Sequence, residues 1–217
     1  MKNLKGKKIL ITAGSTWVAL DKVRVITNIF RGNLGYKIAE TASRAGAKVT
    51  LLLGAGIDPK STKDYNINVV RFKYFDELNE LVKSNLKNNS FDIMINSAAI
   101  SDYTPENPFD GKVKSGKNRL IIKLKPTIKI IDYVKKIVPN IFLVKFKLEV
   151  GVTDKELINI AYKSMQHSKA DLIVANKYDE KFKDHSAYII DKEKNIRKCN
   201  GKKEIAEDLL KILSERL

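Results

Sequence analysis

The chain has 217 residues, of which 43% are hydrophobic and 30% charged, and a formal net charge of +16. That balance excludes an intrinsically disordered chain, and the length suits one large domain or two small ones. Met1 to Lys8 is polar and basic, and no apolar run approaches the ~20 residues that span a bilayer, so a cytoplasmic protein without membrane contact is expected.

The charge needs separating by residue type. Nearly all the excess is lysine, and arginine occurs only at positions 24, 31, 44, 71, 119, 197 and 216. Arginine is the usual residue for reading bases and clamping phosphates, so nucleic acid is not the expected main partner. One cysteine, Cys199, rules out an internal disulfide. It reads as a terminal-strand residue rather than a nucleophile. With His167 and His185 as the only histidines, no zinc-site spacing exists and no metal ligands are assigned.

Lys8–Thr12 is a short apolar run that reads as a buried strand ending in the loop Ala13-Gly14. Leu34, Ile38, Ala39, Ala42 and Ala45 recur at helical spacing, and Gly46 stops that helix. Val49–Leu53 predicts a second strand, followed by a loop over Gly54–Pro59. Ile67–Phe72 predicts a third strand, Phe75–Leu86 a helix, and Phe91–Ile95 a fourth strand ending at Asn96-Ser97-Ala98-Ala99. Strands apolar throughout and separated by helices imply crossovers and a parallel sheet buried on both faces. Leu120–Leu124 reads as strand-like, Thr127–Ile137 as a helix ended by Pro139, and Ile141–Phe146 as a strand. Thr153 followed by Glu156 is a capping box opening a further helix. Ala170–Ala175 is another buried strand. Ser186–Ile190 and Ile196–Cys199 form a hairpin pair, and Lys202–Leu217 is an amphipathic terminal helix. The expected fold is a doubly wound, mostly parallel, Rossmann-like α/β domain over residues 1–217, with an added β hairpin or flap element.

In such a sheet, ligands bind beyond the carboxyl ends of the strands. The first such loop, Thr12-Ala13-Gly14-Ser15-Thr16, is small enough for backbone amides to approach an anion. It matches neither the dinucleotide Gly-x-Gly-x-x-Gly pattern nor a Walker loop. Gly32 and Gly35 open the Leu34 helix, where free amides and the helix dipole favour negative charge; a tight turn is the alternative reading.

The segment Thr12–Gly35, TAGSTWVALDKVRVITNIFRGNLG, resembles the first loop of phosphopantothenoylcysteine synthetases. That family shows T-A/S-G-G-T, then I/L-D-x-V-R-x-I-S/T-N, then a glycine-rich S-S/T-G-x-x-G run. Further on, AAISDYTP at Ala98–Pro105, Lys112-Val113-Lys114, Phe146-Lys147-Leu148-Glu149 and Ala170–Asn176 resemble the family's later motifs in order. The resemblance covers essentially the whole chain. It is closest to the monofunctional bacterial type, which lacks a flavin-binding decarboxylase domain.

The resemblance implies a ligase of coenzyme A biosynthesis. 4′-Phosphopantothenate is activated as an acyl-nucleotidylate with release of pyrophosphate, and L-cysteine then displaces the nucleoside monophosphate. CTP, or ATP, with Mg²⁺ is implied, and so is a homodimer. Asn28 matches the asparagine that holds the acyl-nucleotidylate, and Lys112 matches the catalytic lysine of a flexible flap that neutralises phosphate charge. Gly14, Gly32 and Gly35 match glycines around the substrate phosphate. Asp102 matches a nucleotide-contacting aspartate, with Asn96, Ser97 and Ala98 lining the same crevice. Pro126, Thr127 and Ile128 align with a P-D-I nucleotide segment, Phe146 with a residue packing on the nucleotide, and Lys163 lies near a triphosphate lysine.

From Lys112 to Lys129 there are seven basic residues and no acidic one, which reads either as a solvated face or as a lid for an anionic load. Five positions depart from the family. Phe30-Arg31 replaces two phosphate-binding hydroxyls, with Arg31 the candidate replacement. Ser15 replaces a glycine, Trp17 a small or charged residue, and Lys177 an aspartate. Two other readings are carried: an NAD(P)-dependent oxidoreductase on a similar sheet, and a basic nucleic-acid-binding module.

Overall fold

A computed structural model describes residues 4–56, 66–116, 118–178 and 186–217. Residues 1–3, 57–65, Lys117 and residues 179–185 lie outside it, and with them half of the predicted Gly54–Pro59 loop and His185.

One eight-stranded sheet organises the described residues. Its core is six parallel strands: β1 (Lys8–Ala13), β4 (Lys48–Leu53), β5 (Ile67–Arg71), β6 (Ile93–Asn96), β9 (Phe142–Val150) and β10 (Leu172–Tyr178). The predicted hairpin, β11 (Ser186–Asp191) with β12 (Ile196–Asn200), extends the β10 edge antiparallel. The spatial order is β12-β11-β10-β9-β6-β1-β4-β5. The chain winds outward from β1 through β4 to β5, then returns to β6 on the other side of β1. The reversal between β1 and β6 opens a crevice at their carboxyl ends.

Two helices, α1 (Asn33–Arg44) and α5 (Gly201–Arg216), cover one face. On the other lie α2 (Phe75–Asn88), α3 (Ile131–Ile137) and α4 (Asp154–Ser168). The strands alternate between the two cores: Ile9, Ile11 and Ala13 face the α1 side, and Leu10 faces the α2 side. Gly35, Ile38, Ala39 and Ala42 form the buried stripe of α1, whose small residues let it lie close to β1. The capping box of α4 is present, with Glu156 N donating to Thr153 Oγ1 at 3.3 Å and Thr153 N donating to Glu156 Oε2 at 2.8 Å.

The structure corrects two expected elements. Leu120–Leu124 is a strand only at its last residue, and Ile121 is 70% exposed. Pairing starts only at β8 (Leu124–Pro126), opposite β7 (Tyr103–Pro105). The helix expected from Thr127 begins at Ile131 because the groups that would open it are engaged elsewhere. Thr127 N donates to Asp102 O at 2.9 Å and Thr127 Oγ1 donates to Ser101 O at 2.7 Å. A further hairpin, β2 (Trp17–Ala19) with β3 (Val25–Thr27), stands between β1 and α1, where no strand is predicted. Strands β9 and β10 outrun their predicted ends because they pair in register as far as Val150 and Tyr178.

Candidate functional site

A cavity of about 440 Å³ opens at the reversal between β1 and β6. Its floor is the close approach of three backbone segments. A Cβ on Gly32 would stand 2.3 Å from Gly14 N, and Gly32 has φ +88°, so glycine is required twice over. A Cβ on Gly35 would meet Ala13 Cβ at 2.6 Å. These contacts place the start of α1 directly on the end of β1. No side chain caps α1, so its first amides are free for an anion.

Asn28 stands on the cavity wall just after β3, and its Nδ2 donates to Ala99 O at 3.1 Å. Ser97, Ala98 and Asp102 line the wall from the β6 side, and Phe146 and Leu148 from β9. Arg31 is exposed at the rim. The predicted residues Gly14, Asn28, Arg31, Gly32, Gly35, Ser97, Ala98, Asp102 and Phe146 therefore share one cavity.

The others do not line it. Asn96 lies beneath the floor, accepting from Thr12 Oγ1 at 2.9 Å. Pro126 ends β8, and Thr127 ties β8 to the Ser101-Asp102 turn. Ile128 is 58% exposed. Lys129, the next residue, pairs with Asp102 at 2.5 Å. Lys163 is exposed on α4 and outside the lining.

Lys112 is also exposed and outside the lining. Its two neighbours are held by the turn of the β2–β3 hairpin. Lys22 N donates to Gly111 O at 3.1 Å, and Val113 N donates to Asp21 Oδ2 at 3.0 Å. Arg24 Nη2 donates to Val113 O at 2.9 Å and its Nε to Asp21 Oδ2 at 2.9 Å. Asp21 also accepts from the amides of Val23 and Arg24, at 2.8 and 2.7 Å. The Arg24 guanidinium, then the Val113 amide, hold the Asp21 carboxyl well below the usual carboxylate range. The hairpin that carries Asn28 thus also fastens the arm that carries Lys112.

Three of the sequence departures have local partners. Ser15 Oγ donates to Phe30 O at 2.5 Å and ties the first loop to the glycine run. Trp17 packs edge-on against Tyr74, with ring centroids 6.0 Å apart. Lys177 pairs with Asp154 at the start of α4, and Tyr188 donates to the same carboxylate. That carboxylate pushes the Tyr188 hydroxyl up to about 12.

Sequence reasoning missed Tyr178 and Lys202, which also line the cavity. Tyr178 meets Phe30 edge-on at 5.6 Å. Lys202 arrives from the start of α5, far along the chain, and only the packing of α5 on α1 brings it near. Cys199 is buried in β12 beside Asp208. Burial first, then that carboxylate, push its thiol up to about 12, which leaves it unreactive.

Fold and site together define a doubly wound α/β domain with an anion cradle at its switch point. Residues 4–217 match the family model for the DNA/pantothenate metabolism flavoprotein C-terminal domain, and the chain belongs to that family. It is 41% identical over 175 residues to the coenzyme A biosynthesis bifunctional protein CoaBC of Thermococcus kodakarensis, covering 81% of this chain and 42% of the relative. The CoaBC of Methanocaldococcus jannaschii is 34% identical over 214 residues, covering 96% of this chain and 51% of the relative. The chain thus spans about half the length of these curated relatives. The crystal structure of the DNA/pantothenate metabolism flavoprotein from Streptococcus pneumoniae superposes with a TM-score of 0.86 at 32% identity, covering 98% of this chain and all of that one. These likenesses bear out the expected family and fold.

Proposed function

We propose that this chain joins 4′-phosphopantothenate to L-cysteine through an acyl-nucleotidylate, as a ligase of coenzyme A biosynthesis. One observation carries the reading. In a chain of this family, Asn28, Asp102 and a glycine-built anion cradle converge on one cavity.

The phosphate of phosphopantothenate would rest on the free amides at the start of α1, with Arg31 at the rim. Its carboxylate oxygen attacks the α-phosphorus of the nucleotide, and pyrophosphate leaves. The amine of cysteine then attacks the acyl carbon, the nucleoside monophosphate leaves, and the amine's surplus proton passes to solvent. Asn28 offers amide donors where the acyl oxygen gains charge, without adding a charge of its own. Lys112 would neutralise phosphate charge once the arm that carries it closes. Asp102 is the one carboxylate on the wall among the described residues, which suits a Mg²⁺ carried by phosphates rather than caged by protein oxygens.

CTP is the proposed nucleotide, with ATP the alternative. A cytoplasmic homodimer is proposed with it, and the exposed Val23 and Ile29 of the hairpin region suit self-association. Among the described residues no helix is long and apolar enough to cross a membrane. The oxidoreductase reading loses ground on geometry: a hairpin, not a helix, follows the first glycine loop. Among the described residues, nothing beyond the basic charge favours the nucleic-acid reading. Incubation with phosphopantothenate, cysteine, Mg²⁺ and either CTP or ATP should yield phosphopantothenoylcysteine by mass spectrometry. Absence of product with both nucleotides would count against the reading.

A further inference from the structure

Lys145 is a buried cation that the family resemblance gives no task. It stands on β9 in a row with two polar residues, Thr12 opposite Asn96 and Asn96 opposite Lys145. Its neighbours on the strand, Val144 and Phe146, turn to the α1 face; Lys145 turns to the α4 face and is only 9% exposed. The ammonium donates to Ser164 O at 3.0 Å and to Ser164 Oγ at 2.9 Å. Nearby lysines each hold a carboxylate: Lys129 has Asp102 at 2.5 Å, and Lys147 has Glu149 at 2.9 Å. Lys145 makes no ion pair among the described residues. An ammonium buried without an ion pair is costly, and a methionine would fill the same space more cheaply. Burial holds its pKa below the ordinary lysine value; the Asp132 carboxylate opposes that shift without pairing, and the cations of Lys147 and Lys129 reinforce it.

The place of this charge says which anion suits it. The glycine cradle lies on the α1 side of the sheet, and Lys145 lies on the opposite side, within electrostatic reach of Lys129, the partner of Asp102. Two phosphorylated molecules must meet at this rim, and the cradle serves one of them. On α4, Lys163 points to solvent while Ser164 takes the hand of Lys145, so the cation at this junction comes from the sheet. We propose that Lys145 binds the β- and γ-phosphates of the nucleoside triphosphate, using the donor that Ser164 leaves open. The proposal rests on the ligase reading above.

Calorimetric titration of the wild type and of Lys145→Met with CTP, CMP, ATP and AMP tests it. The wild type should bind one triphosphate more tightly than its monophosphate. Lys145→Met should weaken that triphosphate at least tenfold, leave the monophosphate within about twofold, and keep or raise the melting temperature. Unchanged triphosphate affinity, or equal weakening of triphosphate and monophosphate, would overturn it and make Lys145 a fastener of α4. Should Lys145→Met not fold, Lys145→Gln retains a donor for Ser164 and is read by the same two criteria. A wild type that binds neither triphosphate sinks the ligase reading and this inference together. A wild type that binds one, with a variant that binds it equally, sinks this inference alone.

Discussion

The two sides of the cavity are built by different means. On the α1 side, Gly14, Gly32 and Gly35 make a cradle from backbone, and a single added carbon would collide at 2.3 Å. On the other side, the arm that carries Lys112 is held at Val113 by side chains of the hairpin, Asp21 and Arg24. The first side is fixed by packing in a dense core, and the second by a few polar contacts at the surface. Substitutions should separate them: the cradle fails by folding or by loss of all binding, and the arm fails by loss of rate.

The largest effect is expected at Gly32→Ala. A left-handed alanine and a backbone clash together cost about 3 kcal/mol, enough to lower the melting temperature by several degrees and abolish ligation. An active, fully stable Gly32→Ala would show that the cradle is looser than its geometry. Next comes Asn28→Ala. Its one hydrogen bond is exposed, so stability should hold while kcat falls ~10²–10³-fold, the scale of losing one preorganised donor. Loss of stability with intact kcat would assign Asn28 to the scaffold.

Asp21→Asn should lower kcat about tenfold with the KM for phosphopantothenate unchanged, the signature of a loosened arm rather than a damaged cradle. Its pH dependence has a fixed sign. The folded carboxyl titrates below its unfolded value of ~4, so its contribution is complete above that pH and is lost as pH falls further. The melting-temperature gap between wild type and Asp21→Asn should be constant above pH ~4 and narrow below it. A gap that widens on acidification would contradict the tie. The smallest effect belongs to Ser15→Gly, which removes the bond to Phe30 O and should cost ~1 kcal/mol in denaturant unfolding with little change in rate.

The same contrast explains what could be read from sequence. Strands such as Lys8–Ala13 carry a buried apolar run, Ile9-Leu10-Ile11, and the α1 stripe is periodic, so the sheet and the cradle follow from local pattern. The capping box at Thr153 is a local signal and is obeyed. The arm is different. Leu120 and Ile121 are apolar but exposed, and β8 starts late because its partner is the distant Tyr103–Pro105. Helix α3 starts late because Thr127 bonds to Ser101 and Asp102 across the turn. Lys202 and Tyr178 enter the site through the packing of α5 and the length of β10, neither of which leaves a short-range trace. Lys145 reads in sequence as one more lysine, and only its burial sets it apart.

The central claim is that this rim activates a carboxylate before cysteine arrives. Pyrophosphate release measured without cysteine, at enzyme concentrations near those of phosphopantothenate, tests it directly. With CTP or ATP, a burst approaching one pyrophosphate per site is predicted, dependent on phosphopantothenate and abolished in Asn28→Ala. Release of orthophosphate instead, or no burst with either nucleotide, would contradict the account.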